Sequence, residues 1–295
     1  MELKCSLCPR KCGATRTEYN SAGLCQSPLL PLVARAAAHF GEEPCIAGAN
    51  GAGAVLFTGC KLRCVFCQNR DISRGQGGKA LSVAELRDTL LRLRDEGVDC
   101  IDLVTGTHFI PAIAEALSGI ELGIPVVWNS SGYESIEGLR MLEGLVQVYM
   151  PDFKYWDKNL AKRYSMAEDY PKVAAAAIKE MYRQVGPYEL DDKGLMKKGM
   201  LIRHLILPGE RFNTMDVIDF AAEEFPEDSI LFSLMSQYTP PSQGLEDFPE
   251  LQQTVDIELN RDLIHYMQKR RLNGYWQDIS SATEELLPDW DLTGL

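Results

Sequence analysis

The sequence predicts an α/β fold, on three observations. From Gly51 onward, apolar stretches of strand length alternate with stretches of helical periodicity. The 295 residues, 45% hydrophobic and 24% charged, can bury a sizeable core and match neither a disordered nor a fibrous composition. No apolar run approaches the ~18 residues needed to cross a bilayer.

The elements follow in order. Residues 1 to about 50 carry Pro9, Pro28, Pro31 and Pro44 and hold no period, which predicts a loop-dominated, cysteine-rich module. Strand-like 54–58 is followed by helical 83–93, strand-like 100–105 by helical 110–117, and strand-like 124–128 by helical 135–142. Strand-like 146–150 leads into an insertion with a helix over 170–184. The alternation resumes with strand-like 200–207, helical 214–224, strand-like 230–235 and a long helical pattern over 251–271. Parallel strands need a crossover that a helix usually supplies, so six such units predict a parallel sheet. An open doubly wound sheet and an incomplete eight-fold barrel both satisfy this pattern. The expected division is an extension over 1–50, the α/β domain over 51–275 and an acidic tail over 276–295, which has five acids and no Lys or Arg.

Thirty Lys and Arg against 42 Asp and Glu leave a net charge of −12, which argues against nucleic-acid or anionic-membrane partners. Locally the balance reverses: residues 61–79 hold Lys61, Arg63, Arg70, Arg74 and Lys79 against one acid, Asp71. The first residues, Met1-Glu2-Leu3-Lys4-Cys5, open no apolar signal region, so a cytoplasmic protein is expected. Thiols there stay reduced, and nine cysteines, eight of them before residue 68, point to metal or redox chemistry rather than disulfides. Cys100, alone in an apolar strand, reads as a small buried hydrophobe.

Cys60-x3-Cys64-x2-Cys67 stands directly after the first strand, in Gly59-Cys60-Lys61-Leu62-Arg63-Cys64-Val65-Phe66-Cys67-Gln68-Asn69. Three thiolates on a short loop wrap one corner of an iron–sulfur cubane and leave one metal position open, whereas a closed site needs a fourth ligand. Lys61, Arg63, Arg70 and Arg74 favour thiolates and an anionic ligand, and Phe66 shields a cluster from water. Upstream, Cys5-x2-Cys8-x3-Cys12-x12-Cys25 supplies four thiolates, a set that suits zinc or a second iron–sulfur cluster equally. Cys45 is a possible fifth member.

The Cys-x3-Cys-x2-Cys loop, with an aromatic residue before its last cysteine, resembles the radical S-adenosylmethionine (radical SAM) superfamily. Within it, 59–69, Asp152-Phe153-Lys154 and 203–208 resemble the activating enzymes of glycyl-radical enzymes, typified by pyruvate formate-lyase activating enzyme. The N-terminal cysteine knot with Glu42-Glu43-Pro44 and Gln68-Asn69 is most similar to a less characterised branch of those activators. The resemblance implies a partial (β/α)6 TIM-like barrel in which Cys60, Cys64 and Cys67 hold a [4Fe–4S] cluster. S-adenosylmethionine would chelate the open iron through its amino and carboxylate groups and be cleaved reductively to methionine and a 5′-deoxyadenosyl radical. It further implies a flavodoxin- or ferredoxin-type electron donor and a glycyl-radical enzyme as the partner that loses a glycine hydrogen. The alternatives are a radical SAM enzyme acting on a small molecule or peptide, and a non-catalytic iron–sulfur electron carrier.

Cofactor contacts are sought at the carboxyl ends of the strands. Thr105-Gly106-Thr107-His108 replaces a Gly-Gly-Glu turn that in the family binds the cofactor amino group, so Thr105 and Thr107 are the substitutes, and His108 is either a cavity donor or a helix-start residue. Asn129 matches a family segment near the same amino group, the other reading being a polar turn. Alternation points Asp152 and Lys154 the same way, into the barrel, where Lys154 can pair with the cofactor carboxylate. Arg203, among apolar residues, needs an anionic ligand or a carboxylate partner. Gln237 or Tyr238 stands where the family has a histidine.

Overall fold

The computed structural model describes residues 3–75, 77–277 and 292–295. A short ribbon pairs β1 (Leu3–Lys4) with β2 (Thr15–Arg16), and β3 (Leu32–His39) runs antiparallel to β4 (Ala52–Phe57). There follow α1 (Arg70–Ser73), β5 (Lys79–Ala80), α2 (Val83–Asp95), β6 (Cys100–Val104), α3 (Ile110–Ser118), β7 (Val126–Ser130) and α4 (Ile136–Arg140). Next come β8 (Val148–Pro151), α5 (Lys158–Ser165), α6 (Tyr170–Val185), β9 (Glu189–Leu190) and β10 (Met196–Leu205). The last elements are α7 (Arg211–Glu224), β11 (Leu231–Met235), α8 (Ile257–Lys269) and β12 (Gly274–Trp276).

The six strands expected from the apolar runs all form, and they are consecutive parallel neighbours in the order β4-β6-β7-β8-β10-β11. The fold is a partial TIM-like α/β barrel, with β12 added as a further parallel strand beside β11. Period-2 alternation divides the side chains between two faces. Val126, Trp128, Tyr149, Met200, Ile202, Phe232 and Leu234 pack outward under the helices. Ala52, Cys100, Val127, Val148, Leu201 and Leu231 pack inward and fill the lower interior. Helices start where the sequence supplies caps: Ser82 and Glu85 form a reciprocal capping box at α2, and Asp256 accepts two amides at α8.

Two expectations are corrected. Residues 1–50 are not all loop: Leu32–His39 forms a strand paired along the whole of β4, so the border expected at residue 50 does not exist in the sheet. The border at 275/276 falls inside β12, and most of the acidic tail lies outside the described residues. The connection from β3 to β4 runs under the N-terminal ends of the parallel strands, where Cys45 and Ile46 join the inner apolar layer. Among the described residues no helix is long and apolar enough to cross a membrane.

Candidate active site

The inner face of the sheet and the loops at its carboxyl end enclose a cavity of about 500 Å³, within the size range of small-molecule sites. The cysteine loop forms one wall. It leaves β4 at Gly59, whose φ is +93°, and a Cβ there would lie 2.4 Å from Ser27 Oγ and 2.5 Å from the Cys25 carbonyl oxygen. Only glycine lets the strand turn so close to the N-terminal segment. Further on, the Val65 amide donates to the Tyr164 carbonyl at 2.9 Å, tying the loop to α5.

Cys60, Cys64 and Cys67 are free thiols that all line the cavity. Ser165 Oγ donates to Cys64 Sγ at 3.0 Å and stands 2.8 Å from the Tyr155 hydroxyl. Phe66 meets the rings of Tyr155, Tyr164 and Tyr238 edge-on at 6.0 to 6.4 Å, closing the loop off from water. Burial pushes the Cys64 thiol up, and burial with the neighbouring Cys64 and Cys60 pushes Cys67 up to about 12. Desolvated thiols ionise when a metal takes up their charge, so this donor set suits a metal centre.

A charged network stands on the inner wall. Arg203 donates to Asp152 Oδ1 at 3.1 Å, Glu42 Oε2 at 3.1 Å and Asn129 Oδ1 at 2.6 Å. Lys154 Nζ reaches Asp152 Oδ2 at 2.6 Å. Burial opposes ionisation of Asp152, but the Lys154 ammonium and the Arg203 guanidinium outweigh it and hold the carboxyl below its usual range. Asp102 contrasts: burial and the adjacent Glu42 charge push its carboxyl far up from its usual range. Burial likewise raises Glu43, which accepts from Ser233 Oγ at 2.8 Å. The buried Ser131 hydroxyl lines the cavity and has no hydrogen-bond partner among the described residues, an unmet polar group that a ligand can satisfy.

Phe66, Thr105, Asn129, Asp152, Lys154, Arg203, Gln237 and Tyr238 all line this cavity. Their states add detail. Thr105 takes φ +60°, a left-handed conformation that strains a β-branched residue and marks this turn as tightly constrained. Tyr238 gives its hydroxyl to the Leu251 carbonyl at 2.7 Å and presents only its ring. Gln237 Oε1 accepts from Gln277 Nε2 at 2.9 Å.

Thr107 is a correction: it does not line the cavity, because its hydroxyl sits behind the wall with Lys61 and donates to Glu134 at 2.6 Å. Lys61, read as a charge for the ligand, is 1% exposed and pairs with Glu134 at 2.9 Å. His108 is the helix-start residue of the two readings, with Nε2 placed 2.9 Å from the Thr58 carbonyl oxygen; burial pushes it down to about 3. Glu42, Asp102 and Glu134 were not among the expected site residues. Asp102, a lone acid at an inward position of an apolar strand, carried a readable signal, whereas Glu42 reaches the site from the opposite end of the barrel.

The N-terminal cysteines lie against the cavity wall. Cys5 and Cys8 are buried, Cys25 is partly buried and Cys12 is exposed. Burial raises the Cys8 thiol, and Cys25 and Cys5 stand near enough to add to the rise. Arg16 donates to Cys5 Sγ at 3.8 Å and to the His108 carbonyl at 2.7 Å. Arg10 reaches the Lys61 carbonyl at 2.9 Å and the Ser165 carbonyl at 2.8 Å. Cys45 takes no part here: it packs with Cys100 in the lower barrel, and burial pushes it up to about 12. Among the described residues no three His, Cys, Asp or Glu side chains close on a single ion. A cubane binds its thiolates at separate iron corners and makes no such demand.

An uncharacterised protein of Methanocaldococcus jannaschii is 28% identical over 245 residues, which cover 80% of this chain and 66% of the relative, just under two thirds of its length. Among solved structures, Streptococcus suis SuiB superposes with a TM-score of 0.52 at 16% identity, over 77% of this chain and 50% of SuiB. The complex of SuiB with its precursor peptide SuiA gives 0.50 at 16% identity, over 77% and 49%. A radical SAM methyltransferase from Sphaerobacter thermophilus gives 0.50 at 12% identity, over 76% and 66%. At these identities the likeness is one of fold. The sequence pattern of the Radical SAM superfamily matches residues 54–221, more than half of the chain, and with the fold and the three-thiol cavity wall it places this protein in that superfamily.

Proposed function

We propose that the protein is an enzyme that holds a [4Fe–4S] cluster on Cys60, Cys64 and Cys67 and cleaves S-adenosylmethionine reductively, the product radical taking hydrogen from a glycine of a partner protein. The observation that carries this is the convergence of three free thiols and the Asn129–Arg203–Asp152–Lys154 network on one cavity at the carboxyl ends of parallel strands. When bound on these three thiols, the cluster would supply the electron for the cleavage of S-adenosylmethionine.

The chain's residues then have separable tasks. Lys154 offers its ammonium to the cofactor carboxylate, and Asp152 keeps that ammonium charged and aimed. Arg203 fixes Asp152 and Asn129 in place and is itself held by Glu42. Asn129 and the unpartnered Ser131 hydroxyl offer polar contacts to the ligand. Thr105 and the rings of Phe66 and Tyr238 shape the wall and exclude water. Cys5, Cys8, Cys12 and Cys25 are assigned to a second metal centre, zinc or a further cluster; among the described residues no three of them close on a single ion, so zinc would have to draw them together.

A second reading, action on a peptide or small molecule, is favoured by Thr105-Gly106-Thr107 standing in place of the Gly-Gly-Glu turn and by the fold likeness to SuiB, which was solved bound to the precursor peptide SuiA. Anaerobic reconstitution tests the common part: iron, sulfide and zinc are counted in the parent, Cys60→Ala and Cys8→Ala, followed by assay for methionine and 5′-deoxyadenosine. Cleavage lost in Cys60→Ala supports the assignment, and loss only in Cys8→Ala overturns it. A glycine-radical signal in a co-incubated partner, read by electron paramagnetic resonance, separates the two substrate readings.

A further inference from the structure

Arg10 lies in the connection between β1 and β2, flanked by Cys8 and Cys12, and is partly buried. That connection is tied down. The Lys11 amide donates to the Cys8 carbonyl at 3.0 Å and the Gly13 amide to the Cys5 carbonyl at 3.1 Å, while Ser135 Oγ, at the start of α4, donates to the Leu7 carbonyl at 2.6 Å. The Arg10 guanidinium reaches away from this segment. Its Nε donates to the Lys61 carbonyl at 2.9 Å, 51 positions along the chain, its Nη2 to the Ser165 carbonyl at 2.8 Å, and its Nη1 to the Met166 carbonyl. Its Cζ stands over the Tyr133 ring, 5.5 Å from the centroid.

The acceptors belong to two different pieces of the site. Lys61 lies between Cys60 and Cys64 in the cysteine loop. Ser165 is the last residue of α5 and gives its hydroxyl to Cys64 Sγ at 3.0 Å, and Met166 caps that helix in a left-handed conformation, φ +50°. A helix C-terminus leaves carbonyls unmet and carries partial negative charge, so a guanidinium is favourable there on both counts. A planar fork of donors can serve carbonyls from two chain segments at once, which the point charge of an ammonium cannot reproduce. The Val65 amide, bonded to the Tyr164 carbonyl at 2.9 Å, ties the loop to the same helix end. The N-terminal segment meets the loop a second time at its start, where a Cβ on Gly59 would lie 2.5 Å from the Cys25 carbonyl oxygen. We propose that Arg10 is a positioning residue of the cluster site: its guanidinium bridges the cysteine loop to the C-terminal end of α5, fixing the backbone between Cys60 and Cys64 and the aim of the Ser165 hydroxyl at Cys64. The N-terminal segment is then part of the wall that shapes the seat of the cluster, whatever its own cysteines bind. The proposal rests on the cluster assignment above.

The test compares the parent, Arg10→Gln and Arg10→Lys in the full chain. In the apo proteins, hydrogen–deuterium exchange is followed in peptides spanning residues 60–67, with α2 as a distant reference. After anaerobic reconstitution, the rate of iron loss to a chelator and the midpoint potential of the cluster are measured. Arg10→Gln should exchange the loop at least ~10-fold faster than the parent and lose iron at least ~10-fold faster from the same starting content, while α2 exchanges as in the parent. Its potential should fall, because a positive charge that favours the reduced cluster is gone. Arg10→Lys keeps the charge without the fork, so its potential should stay nearer the parent than that of the glutamine variant while its loop still exchanges faster than the parent. Parental loop exchange, iron loss or potential in Arg10→Gln overturns the proposal. So does faster exchange shared by α2, which would mean general destabilisation, or parental loop exchange in Arg10→Lys. Should Arg10→Gln fail to fold, the lysine variant decides by its loop exchange against α2. A parent that takes up no iron overturns the cluster assignment instead, while exchange in the apo proteins still decides the Arg10 bridge.

Discussion

Replacing Lys61 by methionine removes the ammonium from a buried pair in which both side chains are almost fully enclosed, 1% and 0% exposed, at 2.9 Å. Among the described residues Glu134 is then left with the Thr107 hydroxyl alone, its second oxygen already lacking a partner. Breaking such a pair from one side destabilises by roughly 3–5 kcal/mol, because an uncompensated charge stays buried. Removing both charges, as in Lys61→Met with Glu134→Leu, should recover most of this, less about 1–3 kcal/mol for the abandoned Thr107 hydroxyl. Anaerobic urea unfolding of Lys61→Met, Glu134→Leu, the double variant and the parent gives the coupling energy directly. A Lys61→Met protein within about 1 kcal/mol of the parent would refute the reasoning, since it would mean an amine that is hydrated rather than enclosed.

Ser165→Ala removes the donor to Cys64 Sγ; a hydrogen bond of about 1 kcal/mol corresponds to about 40 mV for one electron, so the cluster potential should fall by about that much at unchanged iron content. Redox titration checks it. Lys154→Ala should weaken S-adenosylmethionine binding, measured by equilibrium dialysis, while the iron count stays at the parent value; parallel loss of iron would show a folding role instead. His108 is held neutral in the folded protein down to about 3, whereas the unfolded chain protonates it near ~6.5. As pH falls between those values the unfolded state binds the extra proton, so stability drops by up to about 1.4 kcal/mol per pH unit from this group and is flat above it. His108→Gln should remove that slope in unfolding midpoints taken from pH 7 to pH 4.

The strands were legible because alternation is a local property: Val126 and Trp128 turn outward while Val127 and Asn129 turn inward. The cysteine loop was legible for the same reason, its three cysteines lying within eight residues. What depends on distant partners was not. β3, with its Ala-Arg-Ala-Ala-Ala core, is poor in β-branched residues, and its strand conformation comes from pairing with β4. Lys61 looked like one more charge in a basic stretch, yet Glu134, 73 positions away, draws it inside. Thr107 follows the same pair behind the wall, so of the two threonines expected at the cavity only Thr105 reaches it. Arg203 needed a carboxylate by simple burial arithmetic, but that Glu42 is one of its two carboxylate partners depends on the β3–β4 connection passing beneath the barrel.

The most direct test is electron–nuclear double resonance on the reconstituted, one-electron-reduced protein with S-adenosylmethionine carrying ¹⁵N in its amino group. If Cys60, Cys64 and Cys67 leave one iron free for the cofactor, the nitrogen couples to the cluster spin, and the coupling vanishes in Cys64→Ala. A reduced cluster that shows no ¹⁵N coupling at saturating cofactor would contradict the account.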